Sequence, residues 1–155
     1  MGKMLEDLQK FLVKAKTKGY ASSGESGAVV ENDMSKSTRF FEGSYSLHDN
    51  WFGGEPFGGR EVVWKDEKPH WMMVYYGHDT GIAKDLIPFL IKCLSQIPED
   101  MPLRGPREFS EDDFRYFNTW HGTLEAFNGE EKIFYKGEEA YSARYAGGLV
   151  DQRKD

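Results

Sequence analysis

The sequence predicts an α+β domain built as an internal duplication. Each half is a helix followed by a three- to four-stranded antiparallel meander, and the halves are related by a pseudo-two-fold. Three observations predict this. Apolar residues recur at helical spacing in two separated stretches, 4 to 16 and 84 to 97. Residues 57 to 77 align without a gap on residues 127 to 147 at an offset of 70. Turn signals punctuate the extended segments of both stretches in the same order. The 155 residues are therefore expected to form one compact domain, 1–155, with one half at about 4–78 and the other at about 84–149.

The first helix carries Leu5, Leu8, Leu12 and Ala15 in one stripe, widened by Met4 and Phe11, with Lys10, Lys14 and Lys16 outside it and Gly19 as its stop. Residues 21 to 37, rich in Ser, Gly and charge, predict a long loop holding a short strand at Ala28-Val29-Val30. Gly58-Gly59 and Asn128-Gly129 predict two-residue type I′ hairpins, and Lys65-Asp66-Glu67-Lys68 and Lys136-Gly137-Glu138-Glu139 the turns after them. In the second helix Leu86, Phe89, Leu90, Cys93, Leu94 and Ile97 form the stripe and Pro98 ends it. Pro88 requires the helix to begin near Asp85. At an offset of 78, Asp7, Leu8, Phe11, Leu12, Val13 and Lys14 fall on Asp85, Leu86, Phe89, Leu90, Ile91 and Lys92.

The last strand of each half reads by faces. Trp71, Met73 and Tyr75 share a face, as do Tyr141, Ala143 and Tyr145, and this is the face the helices are expected to cover. On the other face Met72, Val74 and Tyr76 are largely apolar while Ser142, Arg144 and Ala146 are not. The first half is thus expected to bury both faces of its strand, against the other half, a second copy or an apolar ligand.

An excess of 26 acidic over 20 basic residues and a pI near 5.3 argue against direct nucleic-acid binding. No stretch approaches the ~20 apolar residues of a membrane span, so no membrane partner is expected. The opening MGKMLEDLQK lacks the apolar core of a signal peptide, and a lone Cys93 fits a reducing compartment, so a cytoplasmic protein is expected.

The candidates for chemistry are few. His48, His70, His78 and His121 show no metal-ligand spacing, and WFGGEPFGGREV lacks the context of a phosphate loop, so neither a metal nor a cofactor is expected. Glu55 and Glu125, like Glu61 and Glu131, are matched carboxylates that a two-fold would bring near one another for acid–base work. Arg104 and Arg107 flank a Gly-Pro turn and suit a carboxylate or phosphate. Trp51 and Trp120, near strand ends, are the aromatics best suited to recognition.

The runs Arg39-Phe-Phe-Glu-Gly-Ser-Tyr45, WFGGEPFGGREVVW, Trp71-Met-Met-Val-Tyr-Tyr-Gly77, RGPREF, Phe134-Tyr-Lys-Gly137 and Tyr145-Ala-Gly-Gly148 resemble an uncharacterised prokaryotic domain family. Its members occur alone or fused behind a helix-turn-helix of the XRE regulator type. The resemblance spans about Leu8 to Leu149 and implies a domain that senses or binds something, with no catalytic residue to transfer. A Gly-Ser loop follows the first helix here, where a DNA-binding half would have its recognition helix.

Three readings follow. The leading one is a cytoplasmic, non-enzymatic binding or regulatory module whose small-molecule ligand or protein partner meets Trp51, Glu55, Trp120, His121, Arg104, Arg107 and Tyr76. The second is a small acid–base enzyme using Glu55 or Glu125 with a histidine. The third is a homodimeric interaction protein.

Overall fold

The computed structural model describes residues 2–19 and 27–153. The loop expected from residue 21 lies outside them as far as residue 26. Helix α1 runs Lys3–Lys18, and Leu8, Phe11, Leu12 and Ala15 are its buried stripe. Five strands follow: β1 Val29–Val30, β2 Lys36–Glu42, β3 Tyr45–Gly53, β4 Phe57–Lys65 and β5 Lys68–Asp79. Helix α2, Leu86–Leu94, is shorter than its apolar pattern because Ser95 and Gln96 turn the chain before Ile97-Pro98. Pro88 sits in its first turn, where the missing N–H costs no helical bond. Four strands complete the chain: β6 Glu108–Glu111, β7 Phe114–Thr123, β8 Ala126–Tyr135 and β9 Glu138–Leu149.

All nine strands join one antiparallel sheet in the order β1-β2-β3-β4-β5-β9-β8-β7-β6. This overturns the expected α+β duplication of two helix-plus-meander units. The physical reason is the long pairing of β5 with β9, from Trp71↔Leu149 to Asp79↔Tyr141, which makes the hydrogen-bond ladder continuous. The apolar core also crosses the expected boundary. Leu8, Phe11 and Leu12 of α1 share one cluster with Leu124, Phe127 and Tyr145 from the far end of the chain, and Phe57 packs against both this cluster and the one beneath α2.

Both helices lie on one face of the sheet, because Trp71, Met73 and Tyr75 are buried with α1 while Tyr141 and Ala143 of the adjacent strand are buried with α2. The opposite face of β5 is open: Val74 is 47% and Tyr76 59% exposed, so the expected burial of both faces does not occur.

The hairpins differ from expectation in an informative way. Asp66 and Glu67 adopt φ of 51° and 66°, and Lys136 and Gly137 φ of 51° and 83°, as a two-residue type I′ turn demands. Gly58-Gly59 and Asn128-Gly129 are not turns. They lie inside β4 and β8, and the hairpins reverse instead between Gly53 and Phe57 and between Thr123 and Ala126. Glycine is needed there for close approach. A Cβ at Gly59 would stand 2.7 Å from the Tyr75 hydroxyl, and one at Gly129 would stand 2.2 Å from the Tyr145 ring. Each tyrosine thus lies across a glycine and reaches the next strand. No helix of the described residues is long and apolar enough to cross a membrane.

Candidate functional site

On the helix-covered face, each central meander strand puts one acidic side chain into the core. Glu61 of β4 is 5% exposed and Glu131 of β8 is fully buried. Each stands opposite a polar residue of the preceding strand, Asp49 of β3 for Glu61 and Asn118 of β7 for Glu131. Burying such groups is tolerable only where charge and hydrogen bonds are returned to them.

Glu131 is well supplied. Arg104 Nε donates to its Oε1 at 2.9 Å, Tyr141 donates to the same oxygen at 3.3 Å, and Tyr116 donates to Oε2. The ring of contacts closes through Gly105, whose N–H donates to the Tyr116 hydroxyl at 3.0 Å and whose carbonyl accepts from Asn118 Nδ2 at 2.8 Å. The Tyr145 hydroxyl donates to Asn118 Oδ1 at 2.6 Å. Burial opposes the charge of Arg104, but Glu131 and the tyrosines around it more than offset this and its pKa rises. Burial drives the hydroxyls of Tyr116 and Tyr141 well above their usual range. They act as neutral donors.

Glu61 is supplied differently. Lys16, in the last turn of α1, brings Nζ to 3.0 Å from Glu61 Oε1 and also donates to the Leu103 carbonyl, 2.6 Å away. Glu61 Oε1 is thus a buried oxygen that shares its ammonium with a backbone carbonyl. The Tyr75 hydroxyl donates to Asp49 Oδ1 at 2.5 Å. Burial first, and then the neighbouring Glu61 carboxylate, push the Asp49 carboxyl up to about 7. Burial lowers the pKa of Lys16, against the pull of Glu61.

These groups line a cavity of about 50 Å³ under the C-terminal end of α1, with Thr38, Leu94 and Leu103 among its walls. Lys16 Nζ also lies 5.3 Å over the Trp71 ring, and the Arg104 guanidinium 5.4 Å over the Tyr75 ring. Arg104 belongs to both neighbourhoods, so Lys16, Asp49, Glu61, Arg104 and Glu131 form one buried cluster. Its two cations face three carboxylates. With every group ionised, one negative charge is uncompensated; with a proton on Asp49, none is. Chemically, the cavity is an acceptor for a proton or a positively charged donor close to neutral pH.

The sequence-derived candidates are scattered. Trp51 is core, on the inner face of β3. Trp120 is half-buried against the same cluster, and the exposed Arg107 stacks 3.7 Å over its ring. Arg104 is buried and holds Glu131, where an anion clamp was expected. Glu55 is exposed in the β3–β4 loop and accepts the Asp79 N–H; Glu125 is exposed in the β7–β8 turn. Tyr76 and His121 lie on the opposite face of the sheet, along an open depression of about 790 Å³ that also includes Val74, Glu130 and Arg144. Neither Glu55 nor Glu125 lines the cavity or this depression.

His48 and His70 each bury an Nε2 without a hydrogen-bond partner, and burial lowers the pKa of both. Among the described residues no three His, Cys, Asp or Glu side chains are grouped as a metal ion would require. Cys93 is buried, and burial raises its thiol pKa, so it is not poised as a nucleophile.

Lys16 and Asp49 are the functional candidates that the sequence did not single out as a pair. On the helical wheel Lys16 stands outside the apolar stripe, and only the approach of β4 gives its charge a buried partner.

No curated protein matches the chain, and no solved structure does. A family model does match, over residues 49–150, from Asp49 through Glu61, Arg104 and Glu131 to the end of β9. The chain belongs to that family, a domain of unknown function designated DUF5680.

Proposed function

We propose that this chain is a non-enzymatic binding or regulatory module and that its ligand seat is the cavity between the C-terminal end of α1 and strands β3 and β4. The observation that carries the reading is the charge imbalance around the cavity: Lys16 and Arg104 face Asp49, Glu61 and Glu131, and Glu61 has only the ammonium that it shares with the Leu103 carbonyl. A core built for stability alone gains nothing from a buried carboxylate without its own counter-charge. The resemblance to domains fused behind helix-turn-helix regulators supports a sensing role. Occupancy would be felt at once by α1, because Lys16 joins the cavity to that helix.

The test uses a property of the site itself. Trp71 stands beneath Lys16, so filling the cavity should change tryptophan emission as well as the melting temperature. Small charged metabolites are screened by both readouts against the wild type and Glu61→Gln. At least one compound should raise the melting temperature of the wild type and shift its emission, with both responses lost in the variant. A screen in which no compound produces a response that depends on Glu61 would overturn the proposal.

A further inference from the structure

Resting on that reading of the cavity, the geometry points to its ligand class: we infer that Glu61 and Asp49 hold a small monovalent cation of the ammonium type, ammonium itself or methylammonium. Four observations on the page lead there.

The first is the hydrogen-bond inventory. The cavity's cations are already engaged, Lys16 with the Leu103 carbonyl and Glu61, Arg104 with Glu131. Its acceptors are less so. Glu61 Oε1 has the Lys16 ammonium that the Leu103 carbonyl also draws on, Asp49 has one donor, Tyr75, on a single oxygen, and Thr38 is at the wall, so the carboxylates keep lone pairs to spare. What is missing is a molecule rich in N–H donors, and an ammonium group carries three or four.

The second is charge. The buried cluster carries one excess negative charge when fully ionised. One positive charge neutralises it, whereas an anion would double the excess.

The third is size. A cavity needs about 10–15 Å³ to admit a water, whose share of the liquid is about 30 Å³, so about 50 Å³ admits a group of only a few heavy atoms. Ammonium or methylammonium fits that space; a ring or an amino acid does not.

The fourth is the coordination chemistry. A divalent metal ion wants several hard oxygens, and the described residues offer no such grouping. An ammonium group is satisfied by two or three directed hydrogen bonds.

The cation and a proton occupy the same charge deficit, so they compete. Asp49 is faced by Lys16 from α1, Glu61 from β4, Tyr75 from β5 and Arg104 from the segment before β6. Binding is therefore expected to be tightest where Asp49 is ionised and to weaken in acid.

The experiment compares chlorides of ammonium, methylammonium and tetramethylammonium at equal ionic strength, read by melting temperature and tryptophan emission at pH 8 and pH 5.5. Ammonium and methylammonium are expected to give saturable shifts at pH 8, with apparent affinity at least tenfold weaker at pH 5.5. Tetramethylammonium, which has the charge but no N–H, is expected to give none. Asp49→Asn and Glu61→Gln should each weaken the response tenfold or more. The Asn118 arrangement shows that an asparagine fits this geometry, so Asp49→Asn keeps the test open if Glu61→Gln fails to fold. Equal shifts from ammonium and tetramethylammonium, or an ammonium response unchanged in Asp49→Asn, would overturn the inference. If the metabolite screen yields Glu61-dependent ligands while ammonium does nothing, the ligand class fails and the binding module stands. If neither responds, both fail.

Discussion

Glu61 and Glu131 occupy the same place in two successive hairpin trios of one sheet, yet only one of them is at rest. Glu131 faces an amide, Asn118, and receives Arg104, Tyr116 and Tyr141. Glu61 faces a second acid, Asp49, and shares its lysine with the Leu103 carbonyl. The tyrosines that cross the glycines behave alike, Tyr75 donating to Asp49 and Tyr145 to Asn118. The difference comes down to Asp for Asn, Lys for Arg, and the two tyrosine hydroxyls, where the first trio has Leu47 and Trp71. A permanently charged guanidinium, two tyrosine hydroxyls and a neutral amide make a closed structural network; an ammonium shared with a carbonyl and a second carboxylate leave a charge open. The same scaffold thus serves stability at one end and, in our reading, binding at the other.

The largest expected effect separates the two ends by what is lost when the glutamate's charge goes. Glu131→Gln removes the carboxylate in direct contact with Arg104 and weakens the acceptor that serves Tyr116 and Tyr141, and should cost about 3–5 kcal/mol. Glu61→Gln should cost less, about 1–3 kcal/mol, because Lys16 keeps the Leu103 carbonyl and Asp49 remains to balance it. Urea unfolding at pH 7 measures both. Equal losses would mean that the two ends are energetically alike and that the comparison is only pictorial.

The next effect exchanges the ends. The Asp49 carboxyl is raised in the folded protein to about 7 from an ordinary value of 3.8. The folded state therefore binds the extra proton between those values, and the stability this provides is full below about 4 and lost as pH rises through about 7. Asp49→Asn removes that slope and should leave the protein more stable than the wild type at pH 8. The gain should be a fraction of the ~4 kcal/mol that three pH units represent, because Asp49 is half-buried, with part of its surface open to the cavity. Asn118→Asp does the reverse. It sets a second carboxylate beside Glu131 with only Arg104 to serve both, and should cost about 1–3 kcal/mol at pH 8 and less in acid. Unfolding free energies from pH 4 to 8 check the pair, and parallel curves for Asp49→Asn and wild type would break the assignment.

How much of this was legible beforehand depends on whether the determining contact is local. The stripe of α1 and the turns at Asp66-Glu67 and Lys136-Gly137 are set by neighbours in sequence, and the spacing and turn chemistry disclosed them. The alignment at an offset of 70 also marked Glu61 and Glu131 as matched carboxylates. What it could not disclose was the pairing of β5 with β9, a contact between strands some 70 residues apart, and with it the single sheet. Gly59 and Gly129 look like turns in the sequence because glycine serves both positive φ and close approach, and only the tyrosine lying across each one tells which. Lys16 was invisible for a related reason: its burial is decided by Glu61, far along the chain, and not by its own helix.

The smallest effect is also the most discriminating, because it alters one hydrogen bond at each end and nothing else. Tyr75→Phe and Tyr145→Phe keep the rings that lie across Gly59 and Gly129, so packing is preserved and each should cost about 0.5–1.5 kcal/mol. Their pH behaviour should differ. The Tyr75 hydroxyl favours the ionised form of Asp49 and so holds its pKa down against burial. Without that donor the Asp49 carboxyl climbs further, and the pH at which stability falls should move upward from near 7. Asn118 has no proton to gain or lose in this range, so the curve for Tyr145→Phe should run parallel to the wild type across pH 4 to 8. Parallel curves for both variants would place the titrating group elsewhere than Asp49 and remove the chemical distinction between the two ends. A shift confined to Tyr75→Phe would tie the near-neutral proton to the cavity under α1.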